Sequence, residues 1–167
     1  MKYQRLPVYD TAANSTAVYP ATTYSWTHNL ASEPNKLIIV CAGGNRNASS
    51  VTLNTFTNFT KLTEVTGNGV ISIWYLVYVG TDLSPTITAN FDGGAGLTSG
   101  SSYSFYDVPG TNIFGDIQST TTGGLYPSLT LDSGADVLMF DLVQTVTTGG
   151  LSFSQESYNR SCEVALA

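Results

Sequence analysis

Charge is what this chain has least of: charged residues make up 11% of its 167 positions, against about 25% in an ordinary soluble domain. The six basic residues, Lys2, Arg5, Lys36, Arg46, Lys61 and Arg160, stand singly, and the net charge is −6. No basic patch is available to displace counterions from phosphates, so nucleic acid is excluded as a partner. The acidic balance also disfavours an anionic membrane surface. Long apolar runs are missing too: the longest, Val70 to Val79, is too short and too broken by Ser72 to span a bilayer. Met1 to Pro7 has no apolar export stretch, so synthesis in a cytoplasm is expected, or a leader has already been removed.

Nucleophile and metal chemistry is equally sparse. Two cysteines, Cys41 and Cys162, belong to no CxxC or Cys/His cluster, and no metal or other cofactor is expected. Cys41 lies in the run Leu37 to Ala42, where cysteine behaves as a small buried hydrophobe. A Cys41–Cys162 disulfide would require the C-terminal strand to fold back beside that run, which spacing leaves open. The one histidine, His28, follows Ser25-Trp26-Thr27, and no serine sits in a GxSxG elbow. A triad is therefore not expected, and His28 reads as structural. The sequons at Asn14, Asn47, Asn58 and Asn159 are what chance gives in a chain rich in Asn, Ser and Thr.

Serine, threonine and glycine fill the place of the charges, beside 42% hydrophobic residues. Threonine suits exposed pleated faces, whereas helix surfaces favour Glu, Lys and Ala. Short strands are punctuated by Gly, Asn and Pro at intervals of roughly 8 to 12 residues, the pattern of an all-β antiparallel sandwich or jelly roll. About nine to eleven strands and no substantial helix are expected on that template. Residues 1–20 lack sustained periodicity and read as an extended arm, and residues 21–167 as one sandwich domain.

Within the domain, Thr23 to His28 alternates and predicts a half-buried strand. Lys36 to Ala42 is a strand apolar without a break after Lys36, so it is covered on both faces or central. Gly67-Asn68-Gly69 predicts a hairpin feeding Val70 to Val79, which is apolar on both sides. Pro85 to Phe91 points Ile87, Ala89 and Phe91 inward. Asp92 to Gly100 reads as a glycine-rich loop, followed by strands at Tyr103–Tyr106, Ser128–Leu131 and Val137–Val146, the last central. Glu163 to Leu166 is expected as a closing edge.

Carboxylates are the remaining candidates for chemistry, since a suitably spaced pair hydrolyses glycosides. Asp132 and Asp136 flank Gly134, where turn formation explains them. Asp92 and Asp107 lie at loops, and Asp141 interrupts an apolar strand. Asp92 to Gly96 lacks the regular oxygen donors of an EF-hand loop. Sugar binding would use exposed aromatics, but Trp26 and Trp74 have apolar neighbours and are expected in the core. No catalytic, cofactor-binding or metal residues are assigned.

Four segments in order carry a resemblance: Trp26-Thr27-His28, Asn35 to Val40, Ser72-Ile73-Trp74-Tyr75-Leu76, and Pro85 to Phe91, with Tyr103 to Val108 following. Together, Tyr24 to Pro109 resembles a β-sandwich module that recurs in bacterial surface proteins and phage structural proteins. It departs from that module in Gly80 to Ser84, which replaces a Pro-Pro-Thr-Gly turn, and in ending at Ala167, which is expected to leave an edge for a neighbouring subunit. The resemblance implies a structural or adhesive part and no catalytic residues. The leading expectation is a non-enzymatic phage decoration or cement protein at the capsid surface. It would be made in the host cytoplasm and bind the major capsid protein or copies of itself, as a homotrimer. A glycan-binding adhesion module is the alternative, and a hydrolase using Asp141 is a distant third.

Overall fold

Among the described residues, twelve strands follow one another in chain order: β1 (Val8–Asn14), β2 (Val18–Ala21), β3 (Thr23–Thr27), β4 (Lys36–Gly44), β5 (Ala48–Leu53), β6 (Thr57–Asn58), β7 (Thr60–Thr66), β8 (Val70–Tyr78), β9 (Thr86–Phe91), β10 (Gly96–Tyr106), β11 (Met139–Gln144) and β12 (Ser161–Leu166). They come from a computed structural model, which describes residues 7–15, 18–66, 70–93, 96–108, 113–114, 117, 139–144 and 161–166. The described residues contain no helix. Two antiparallel sheets pack together as a β-sandwich, as the strand pattern predicts. The larger has the order β1-β10-β4-β8-β7 with β2 also on β10, and the smaller the order β3-β9-β5-β6.

The apolar run of β4 lies at the middle of the larger sheet, between β10 and β8. Because successive side chains point to opposite faces, a run without polar interruption serves two apolar layers. Ile38, Val40 and Ala42 join Trp74 against Trp26, Val51, Leu53, Ile87, Ala89 and Phe91 in the core between the sheets. Leu37, Ile39 and Cys41 face the other way, with Tyr103, Phe105 and Val108. This outer layer is covered in part by Ile113 and Phe114, and the Phe114 ring meets Tyr75 edge-on at 4.6 Å. Each large aliphatic side chain so buried is worth about 1.5–3 kcal/mol. The centre of the larger sheet, β4 with the facing part of β10, is thus buried on both faces, and the smaller sheet on one.

Three expectations change. Residues 1–20 were read as an arm, yet their described part forms β1 and β2 along β10. Asp10 helps fasten β1, its Oδ2 accepting from Ser104 Oγ at 2.9 Å and from the Ala31 N–H at 3.0 Å. The expected loop at 92–100 is strand from Gly96 onward, because β4 pairs with β10 as far as Thr98↔Gly44 and supplies ladder partners that outweigh the weak strand propensity of Gly and Ser. Val137–Val146 was expected as a central strand, but its described part, β11, pairs with β12 in a separate parallel ribbon. An apolar run announces a buried strand without saying which strand it pairs with. The two packed sheets contain ten strands among the described residues, within the nine to eleven expected, although β1, β2 and the two-residue β6 carry little periodicity of their own. Gly67–Gly69 and Ser128–Leu131 lie outside the described residues, though Thr66 does stand opposite Val70 as a hairpin requires.

Candidate functional site

His28, Ser102 and Asp10 are brought together where β1, β3 and β10 meet. His28 Nδ1 lies 2.7 Å from Ser102 Oγ, and Trp26 Nε1 donates to the same oxygen at 2.8 Å. Ser102 Oγ also reaches the Ala13 carbonyl at 3.4 Å. A tautomer with the proton on Nδ1 lets Ser102 accept twice and donate once, which satisfies the hydroxyl. Nε2 then remains a buried acceptor without a hydrogen-bond partner. Burial pushes the His28 pKa down to about 4, with the Asp10 carboxylate pulling in the opposite direction.

The composition is that of a nucleophile, a base and an acid, but the geometry is that of a core lock. His28 and Ser102 are fully buried between the sheets, and the Asp10 carboxylate is bonded to Ser104 and to the Ala31 N–H rather than to the imidazole. A substrate has no access to Ser102 Oγ, whose bonds tie β3 to β10 and β1. The structural reading of His28 agrees with this placement, and Trp26 and Trp74 are buried, as their neighbours predict.

The carboxylates singled out in the sequence do not converge among the described residues. Asp92 is exposed at the end of β9, its N–H donating to the Asn47 carbonyl. Asp107 follows β10 directly with φ +57°, a conformation Asp tolerates. Asp141 stands in register with Glu163 on the β11–β12 ribbon. Asp132 and Asp136 lie outside the described residues. No three His, Cys, Asp or Glu side chains gather as a metal-ligand set among the described residues.

What the structure does assemble is an uncharged surface. None of the strands of the smaller sheet, β3, β5, β6 and β9, contains a charged residue. Its outward positions are Thr, Ser and Asn in ranks across the strands, Thr23–Asn90–Ser50 and Ser25–Thr88–Thr52. Within the ranks Thr23 Oγ1 donates to Asn90 Oδ1 at 3.1 Å, Asn90 Nδ2 to Ser50 Oγ at 3.0 Å, and Ser25 and Thr88 share a bond of 2.8 Å. Hydroxyls paired among themselves hold water less tightly than ions do. This face is therefore cheaper to dehydrate than a charged one.

A second feature lies at one end of the sandwich. Asn54 bonds to β9 twice, its N–H to the Thr86 carbonyl and its Oδ1 from the Thr86 N–H, each at 2.8 Å. Its Nδ2 donates to Asp82 Oδ2 at 2.7 Å. Asp82 in turn accepts from the Ser84 N–H, and that bond, followed by the one from Asn54, holds its carboxyl below the usual pKa. On this frame Phe56 is 91% exposed and Val79 88% exposed. Sequence reading missed both features. The alternation of β3 and β9 marks the outward positions, but only the register shows that they line up.

Comparison of the chain with protein-family models, with characterised proteins and with solved structures gives no match.

Proposed function

We propose that the protein is a non-enzymatic structural component of a phage virion, a decoration protein that binds the capsid surface and stabilises it by packing against the major capsid protein and its own copies. The observation that carries this reading is the uncharged, laterally bonded outer face of the smaller sheet. A face of that kind suits lasting contact with another protein surface, because little solvation is lost on burial and no like charges are opposed. The resemblance of Tyr24 to Pro109 to a module of phage structural and bacterial surface proteins points the same way. The one nucleophile–base pair brought together among the described residues, Ser102 and His28, is spent inside the core.

Electron microscopy of particles made with and without the protein tests the proposal. Discrete surface density is expected to vanish in its absence, with capsids that break at lower temperature. A capsid surface unchanged by its removal overturns the reading.

A second reading, glycan-binding adhesion, is favoured by Phe56, an aromatic ring 91% exposed beside the Asn54–Asp82 frame. Exposed rings of this kind serve as sugar platforms. Binding on a multivalent glycan array that is lost in Phe56→Ala would favour this reading over the first.

A further inference from the structure

We propose that β3 is a self-association edge through which two copies pair antiparallel about Ser25, joining two four-stranded sheets into one of eight strands. The ladder to β9 sets the direction of the backbone groups. The Phe91 N–H donates to the Thr22 carbonyl and the His28 N–H to the Pro85 carbonyl, so with the register Thr27↔Thr86 the even-numbered residues of β3 bond inward to β9. By the alternation of an antiparallel ladder, the N–H and C=O groups of Thr23, Ser25 and Thr27 point away from β9. Among the described residues no strand pairs with that side of β3.

An open edge is an assembly surface unless it is blunted, and the other described edges of the two packed sheets are blunted. Strand β7 carries Lys61 and Glu64, ion-paired at 2.6 Å, and a register shift between Lys61 and Thr63. Strand β1 has a shift between Tyr9 and Ala12 and the inward Asp10, and β2 contains Pro20. Strand β6 has two residues, and β5 beyond it is shifted between Ala48 and Ser50. Strand β3, Thr23-Tyr24-Ser25-Trp26-Thr27, has an unbroken register, no charge and no proline.

The occupant is a second copy because the edge complements itself. Its outward groups fall symmetrically about Ser25, so a two-fold axis there sets Ser25 against Ser25 and Thr23 against Thr27, all in bonded positions. Residues on a two-fold axis meet their own kind, and a charge there would repel itself. The chain has net charge −6, yet β3 and its neighbour β9 have none. The pairs so made are Ser–Ser and Thr–Thr, which are favourable across strands. The contact is two-fold, unlike the trimer expected from the sequence. One strand pair buries less than a standard interface, so the dimer is concentration-dependent.

Light scattering and sedimentation of the full chain across a wide concentration range test the proposal. The average mass is expected to rise from one chain toward two and to stop there. Ser25 is exposed, so Ser25→Lys is expected to keep the melting temperature while weakening association at least tenfold. Thr52→Lys, on the same face but away from the edge, is expected to leave association unchanged. A chain that stays monomeric at millimolar concentration, forms trimers, or dimerises undiminished as Ser25→Lys overturns the proposal. The inference is independent of capsid binding: a monomer that still binds capsids removes this proposal and leaves the decoration reading intact.

Discussion

The imidazole Nδ1 of His28 lies 2.7 Å from Ser102 Oγ, and that same oxygen accepts the indole N–H of Trp26 at 2.8 Å. One buried hydroxyl therefore bonds Trp26 of β3 and His28 just beyond that strand from across the sandwich, and it reaches the Ala13 carbonyl of β1 at 3.4 Å as well. Three strands from both sheets depend on it. Asp10 repeats the arrangement one step along, bonding β1 to Ser104 of β10 and to the Ala31 N–H.

Stability is expected to fall on mild acidification because of His28. Its folded pKa is lowered to about 4 by burial, whereas in the unfolded chain it titrates near 6.5. Between those values the unfolded state binds the additional proton, so stability rises with pH. The contribution is complete above pH 6.5, declines as pH falls, and is gone below about 4. At ~1.4 kcal/mol per pH unit the loss is about 3 kcal/mol. Urea unfolding at steps between pH 7.5 and 4 measures it. An NMR titration placing His28 near 6.5 in the folded protein would contradict it.

Ser102→Ala is expected to cost about 2–4 kcal/mol, because it strands the Trp26 N–H and the His28 Nδ1 in a dry interior. Ser25→Ala, on the outer face, should stay within about 0.5 kcal/mol. Thermal unfolding of the two variants side by side checks the contrast. Equal, small losses would mean that the hydroxyl does not hold the junction together.

Much of this architecture is readable from residue order, and the unread part has physical causes. The strict alternation of Thr86 to Phe91 and the unbroken apolar run of Leu37 to Ala42 give both the strands and their burial, because side-chain period and hydrophobicity agree there. Strand β10 hides in its first half because Gly96, Ser99 and Gly100 have weak strand propensity and that half is held by the ladders to β4 and β2. Strand β1 hides because its bulge breaks the alternation between Tyr9 and Ala12. The His28–Ser102 junction joins residues 74 apart in the chain, and no local pattern encodes such a pair. The uncharged face was visible only as a general shortage of charge. Its concentration on one sheet follows from the topology.

Thr55→Gly is expected to stabilise the protein by about 1 kcal/mol. Asn54 and Thr55 have φ of +48° and +68°, and the Phe56 N–H reaches back to the Leu53 carbonyl at 3.2 Å. Two successive positive φ values mark the mirror-image turn that favours Asn followed by Gly. Asn54 fits that preference, but β-branched Thr55 is strained in the left-handed region. Removing its Cβ relieves more strain than the added freedom of the unfolded chain takes back. Chemical denaturation measures the gain, and a loss of stability would show that the Thr55 side chain makes a contact worth more than the strain.

Gly100→Ala tests a close approach between the two sheets. A Cβ at Gly100 would lie 2.7 Å from Trp26 Cη2 and 2.9 Å from Cζ3, well inside contact distance. The ring cannot simply swing aside, because its Nε1 is held by Ser102 and it packs in the core between the sheets. Either β10 retreats from β3 or the indole leaves its bond, and overpacking of this sort costs about 1–3 kcal/mol. Near-UV circular dichroism and Trp fluorescence distinguish the two responses: a retreating strand lowers stability with the indole signal retained, whereas a displaced ring changes the signal itself. If the variant matched the parent in both stability and spectrum, the glycine would not be what lets the sheets approach at this point.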